Sequence, residues 1–218
     1  INEIGWREFA YHLLYHFPKM QKKNLRKNFN NFPWSNNKIH LKKWKHGKTG
    51  YPLVDAAMRQ IYEIGWMHNR LRMVTGSFLV KHLRINWIEG EKYFKDTLLD
   101  YDTANNVSGW QWIAGCGADA APYFRIFNPI TQSEKFDPDG KFIKKWIPEL
   151  KALPKKFIHK PWEIPEDLAA NINFNLKLNY YEPIVNHAEA RQAALNAFEH
   201  TKKNEAINYN RIWDLRTS

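Results

Sequence analysis

The chain has 218 residues, 44% hydrophobic and 25% charged, with a net charge of +11. The apolar share excludes a disordered chain, the length suits one domain with a sizeable core, and no apolar run reaches the roughly 18 residues of a membrane span. A single cysteine, Cys116, excludes an internal disulfide framework and a multi-cysteine metal site, and points to a reducing, intracellular (cytoplasmic) setting.

The periodicity is helical almost throughout. Trp6, Phe9, Ala10, Leu13, Leu14 and Phe17 form a stripe that Pro18 stops. Residues 21–50 are basic and Asn-rich, with Pro33 and Gly47, and predict loop with short helical turns. Val54, Ala57, Met58 and Ile61 make the next stripe, opened near Pro52 and closed by Gly65. Leu71, Val74 and Phe78 continue another through Leu83, and Trp87 to Leu99 predicts a further helix. Residues 100–118, with their Asn, Ser and Gly, predict irregular chain. Pro122 opens a short turn, Asp137-Pro138-Asp139-Gly140 has turn chemistry, and residues 171–183 form a polar connector. Asn186 caps a last helix whose stripe is Ala190, Ala194, Ala197 and Phe198. No period-2 strand and no repeat stands out. The expected fold is an all-α multi-helix globule.

The charge is uneven. Residues 1–50 hold eleven Lys or Arg against two Asp or Glu, whereas residues 51–150 are balanced at twelve of each. A basic surface of this kind suits a phosphate backbone, because neutralising phosphates releases counterions. A Lys- and Asn-rich solvated surface fits the same composition, and charge alone leaves both open.

The chemistry concentrates between Gly65 and Trp112. Asn69, Arg72 and Met73 share a helix face, and the chain later reads Asp100-Tyr-Asp102-Thr-Ala-Asn105-Asn106-Val-Ser-Gly109-Trp110-Gln-Trp112. Arg and carboxylate can pair bidentately, Asn can both donate and accept, and indoles can stack, which suits a flat heteroaromatic cofactor. An Arg–Asp pair with core tryptophans fits the same residues. His12 and His16 have metal-like spacing but no third ligand, so they are expected as surface or core histidines and no metal is expected.

The segments Trp6-Arg-Glu-Phe9, Gly47-Lys-Thr-Gly-Tyr-Pro52, Val54-Asp-Ala-Ala-Met-Arg59, Gly65-Trp-Met-His-Asn-Arg-Leu-Arg-Met73, Ala104-Asn-Asn106, Gly109-Trp-Gln-Trp112, Asp119-Ala-Ala-Pro-Tyr-Phe-Arg-Ile-Phe-Asn-Pro129 and Lys135-Phe-Asp-Pro138 resemble the DNA photolyase/cryptochrome family, in its order and spacing. The match is dense over residues 1–160, and is most like class I cyclobutane pyrimidine dimer photolyases. It implies the carboxy-terminal, helical FAD- and DNA-binding region of such a protein, over residues 1–218. An amino-terminal α/β antenna domain, with its folate- or deazaflavin-type chromophore, and an FAD-diphosphate segment would lie outside it. The chain starts at Ile1 without an initiator Met, which agrees with a fragment.

The resemblance also implies roles. Reduced FAD passes an electron, under blue light, to a pyrimidine dimer flipped out of DNA. Arg72 pairs with Asp100 beside the flavin, Asp102 hydrogen-bonds the flavin or adenine, Asn106 faces flavin N5, Trp66 lies along the pocket, and Arg7 approaches the phosphate or ribose. Glu3, Asn69 and Met73 touch the lesion, with Trp6 and Trp112 as aromatic walls. Arg70, Arg125 and Gln132 contact phosphate or the lesion rim. Trp110, Trp87 and Trp34 form an electron-hopping chain from cofactor to surface; ordinary aromatic packing is the alternative. The expected partner is dimer-containing DNA, bound by a monomer with no membrane contact. Asn69, Met73, Asn106 and Trp112 differ from what signalling and (6-4) branches usually carry, and so imply dimer repair. Two rivals remain: a cryptochrome-type photoreceptor and an FAD-free DNA-binding fragment.

Overall fold

A computed structural model describes residues 2–120, 122, 123 and 125–217, with side chains through 202. Ala121 and Phe124, part of the 119–129 motif and of the turn expected after Pro122, lie outside the described residues, as does Ile1. Every regular element described is helical, and no helix there is long and apolar enough to cross a membrane.

Helix α1 (Asn2–His16) buries Ala10 and Leu13, but Trp6, Phe9 and Phe17 of the expected stripe are exposed. The stripe faces a cavity that Trp6, Phe9, Ala10 and Leu13 all line; Ala10 and Leu13 are its buried part, and Trp6 and Phe9 stay exposed at it. The basic stretch after it is more ordered than its composition predicts. It forms 3-10 turns at Pro18–Gln21 and Lys27–Asn31, then helix α2 (Lys38–Lys45), capped by Asn37. Buried Gln111 anchors it: its amide nitrogen donates to the carbonyls of Met20 (2.8 Å) and Lys23 (3.1 Å), and its oxygen accepts from Leu25 N–H (3.0 Å). Trp44, set among lysines in the sequence, is fully buried and donates its indole N–H to the Thr75 carbonyl at 3.0 Å.

Helix α3 (Pro52–Ile64) starts on proline, whose fixed φ suits the first turn, and ends on Gly65 at φ 65°. Near its start the Asp55 carboxylate is wholly buried. It accepts from Thr49 N–H (2.7 Å), Thr49 Oγ1 (2.6 Å), Gly50 N–H (2.9 Å) and Tyr180 Oη (2.6 Å). Burial pushes its pKa up, and these hydrogen bonds pull the other way. Gly50 lies at φ +81°, with no room for a Cβ against Glu182 and Pro183, so the 180s segment closes directly on its backbone.

Helix α4 (Asn69–Ser77) runs into a π-helical turn, Phe78–His82, that swings Lys81 and His82 inward. His82 stacks on Phe78 (4.8 Å) and shares a 2.8 Å hydrogen bond with His187. Helix α5 (Trp87–Thr97), capped by Asn86, packs on α6 (Thr103–Ala114). The second of these corrects the expectation of irregular chain over 100–118. Asn105, Asn106, Ser108 and Gly109 are weak helix formers, but the Asp102 cap, Gly115 at φ 84° and the burial of Ala104, Val107, Trp110, Gln111 and Ala114 override local propensity. Helices α7 (Pro129–Phe136), α8 (Lys141–Trp146), α9 (Glu166–Asn171) and α10 (Leu176–Asn179) follow, and α11 (His187–Thr217) starts at the expected Asn186 cap. One core gathers Trp44, Trp87, Trp110, Met58 and Phe78; a second, smaller one gathers Ile143, Ile147, Leu150, Ile158 and Tyr180.

Candidate functional site

A cavity of about 890 Å³ opens between α1, α4 and α6, a size at the upper end of small-molecule and cofactor sites. Helix α1 contributes Glu3, Trp6 and Arg7 to its lining, and α4 contributes Asn69, Arg72 and Met73. The remaining expected residues come from Trp66, from Asp100 and Asp102 in the turn before α6, and from Asn106, Trp110 and Trp112 on it. The sequence places these groups up to a hundred residues apart; the packing of α1 and α4 on α6 brings them together.

Arg72 is held from two sides. Its Nε donates to the Met67 carbonyl (2.8 Å) and its Nη2 to both Asp100 oxygens (2.9 and 2.7 Å). The pairing expected for these two residues is present. Asp100 is half exposed, so the pair adds little to folding and leaves lone pairs for a ligand. Asp102 is engaged differently. One oxygen accepts from the N–H (2.8 Å) and the side-chain amide (2.6 Å) of Asn105, the other from the Tyr11 hydroxyl. Partial burial opposes its charge, but these donors outweigh it and hold the carboxyl below its usual range. Asn106 donates its amide to Glu91 Oε1 at 3.4 Å. The Ser108 hydroxyl borders the same cavity, buried and without a hydrogen-bond partner.

Trp110 forms the floor. Its indole is wedged where a Cβ at Gly90 of α5 would overlap it, and Gly76 of α4 closes the other approach. Its ring neighbours are Phe94 (5.0 Å) and Trp44 (6.3 Å). Trp87 is buried one turn before Gly90 and donates to Asn24 Oδ1 (2.8 Å), while half-buried Trp34 packs on Phe32 (4.4 Å). Among the described ring contacts no member of the Trp110, Trp87 and Trp34 trio stacks directly on another; each is wrapped by other aromatic or polar groups.

Besides Trp87 and Trp34, three expected residues lie outside the cavity lining. Arg70 sits over the Phe136 ring (4.9 Å), Arg125 is exposed beside Phe127, and the Gln132 Oε1 atom is buried on α7 without a partner. Arg7 lines the cavity but forms an exposed ion pair with Glu8 at 3.0 Å, too weak to commit it. Among the described residues no group of three or more His, Cys, Asp or Glu is placed to hold a metal ion. Cys116 is buried, which pushes its thiol up to about 12. Sequence reasoning missed Tyr11, Glu91 and Tyr101. Glu91 sits among charged residues and gives no sign that it is buried.

The donor set fits the ring system of a flavin: a guanidinium–carboxylate pair, an amide, a second carboxylate and indole surfaces around one flat space. For a diphosphate, Arg7 and Arg72 are the cations that the lining supplies.

Residues 1–200 match the family described as the FAD binding domain of DNA photolyase. A protein of Agrobacterium fabrum named deoxyribodipyrimidine photo-lyase is 53% identical over 202 residues, covering 93% of this chain and 42% of its own length. A crystal structure described as a bacterial class III photolyase from Agrobacterium tumefaciens superposes with a TM-score of 0.89 at 53% identity, over 92% of this chain and 42% of that one. A cryptochrome of Synechocystis superposes at 0.85 with 36% identity, over 90% and 41%. The chain thus spans about 42% of the length of these photolyase relatives.

Proposed function

The chain belongs to the FAD-binding domain family of DNA photolyase, and from that premise we propose that it holds FAD and a pyrimidine dimer flipped out of DNA for light-driven repair. The observation that carries this is the Arg72–Asp100 pair and the Asn106 amide in one cavity with Asn69 and Met73. When bound, reduced FAD supplies an electron under blue light, which opens the cyclobutane ring and then returns, so the reaction needs no nucleophile or metal. The chain's own residues orient and enclose. Arg72 stays fixed by Met67 and Asp100, so it presents charge at the cavity wall with little reorganisation. Trp6 and Trp112 offer apolar faces that exclude water and accept an unstacked base pair. Glu3 offers a carboxylate to a base edge, and Asn69 offers a donor and an acceptor. Arg70 and Arg125, outside the cavity, are proposed to meet phosphates, and Gln132 the lesion rim. Trp110, Trp87 and Trp34 are proposed to relay electrons through the intervening contacts rather than by direct stacking.

Class I is kept as the narrower proposal. It rests on Asn69, Met73, Asn106 and Trp112, which separate dimer repair from signalling; the class III relative at 53% identity competes with it. Dimer-containing DNA as partner, an intracellular (cytoplasmic) setting, a monomeric state, and a folate or deazaflavin antenna in the longer protein stand as proposals with it. A repair assay tests the whole. Purified protein should carry flavin absorbance, and blue light, but not darkness, should split the dimer in an oligonucleotide. DNA affinity should fall steeply as salt is raised. Flavin without splitting would favour the photoreceptor reading, for which the Synechocystis relative speaks; absent flavin with retained DNA binding would favour the FAD-free one.

A further inference from the structure

Glu91 is a buried carboxylate beside the cavity, and among the described residues no cation pairs with it. It lies on α5 and is 8% exposed. Two donors meet at its Oε1 atom: the Tyr101 hydroxyl at 2.9 Å and the Asn106 amide at 3.4 Å. Tyr101 belongs to the turn between α5 and α6, lines the cavity and packs its ring against the large core. Three elements therefore meet at one oxygen atom.

That meeting point selects an orientation. The two ends of an Asn amide have nearly the same shape, so packing alone does not decide which faces the cavity. A carboxylate oxygen accepts only from the NH2 end, so Glu91 decides it. The Asn106 bond is long, and by itself it holds Glu91 weakly. The Tyr101 bond is shorter and comes from a ring fixed by packing. We infer that Tyr101 is a positioning residue: its hydroxyl pins Glu91 Oε1, and through it fixes the amide of Asn106 at the cavity wall. Its effect on the cofactor rests on the flavin reading above; its effect on Asn106 does not.

Tyr101→Phe tests this, since it keeps the ring and removes only the hydroxyl. In flavin-loaded protein, air oxidation of the reduced flavin in the dark, followed by absorbance, is expected to quicken about fivefold, the fold-change of one lost hydrogen bond. Glu91→Leu, which removes the acceptor, should quicken it at least as much. The double variant should be no faster than Glu91→Leu, because both changes act through the same oxygen. A merely structural role would move the melting temperature without that coupling. A rate within about 1.5-fold of the parent, or fully additive effects in the double variant, overturns the proposal. A crystal structure of Tyr101→Phe gives a readout free of the cofactor: Glu91 or the Asn106 amide should rotate, and both unmoved would overturn it. If the parent protein holds no flavin, the flavin reading fails alone, and the crystal structure decides the role of Tyr101.

Discussion

Asp55 and Asp100 are two carboxylates in opposite situations. Asp55 is enclosed, with four donors from Thr49, Gly50 and Tyr180 and no contact with solvent. Asp100 is half exposed at a cavity rim, held by one guanidinium. The first arrangement uses up its acceptors on the protein and joins segments 125 residues apart. The second leaves acceptors open. A polar group that is fully satisfied specifies a fold; one that is partly satisfied, in a rigid frame, is available to a ligand.

The largest expected effect is on the closed side. Asp55→Ala should cost about 3–5 kcal/mol, because it strands several buried donors. Urea denaturation measures this, and a loss below 1 kcal/mol would erase the distinction between the two regions. The open side should respond in the opposite sense. Arg72→Ala should change stability by less than about 1 kcal/mol, while flavin affinity falls about ten- to a hundredfold. Fluorescence titration with FAD reads the second quantity, and equal losses in both variants would show that the pair at the rim is structural.

A smaller effect sharpens the closed side further. His82 is buried against His187 and held at a pKa of about 3, chiefly by burial and then by the neighbouring imidazole. Its folded value lies below its unfolded value, so the unfolded chain binds the extra proton. Stability is then full above about pH 6.5 and is lost as pH falls from there toward 3. Unfolding free energies at pH 7 and pH 5 should differ by at most about 2 kcal/mol from this residue, and His82→Phe should flatten the slope. An unchanged slope in that variant would assign the acid sensitivity elsewhere.

Much of this was legible in the sequence, and what was not has physical causes. The Pro52 start and Gly65 stop of α3, and the Asn186 cap of α11, follow from backbone preferences that act locally. The Arg72–Asp100 pair followed from a family resemblance, not from spacing. Helix α6 was illegible because its stability comes from packing, and Asn105, Asn106, Ser108 and Gly109 point the other way. Trp44 gave no sign of being buried, since its neighbours are lysines whose side chains turn outward. Tyr11, Glu91 and Tyr101 act through partners on other helices, which no local pattern encodes.

Gly90 is not among the residues lining the cavity, yet any substitution there drives a Cβ into the rigid ring of Trp110. In a saturation library screened for survival of ultraviolet exposure, position 90 should tolerate as little variation as the cavity wall. A map of intolerant positions would then outline more than the residues that meet the substrate: it would include the blank spaces that keep the floor flat.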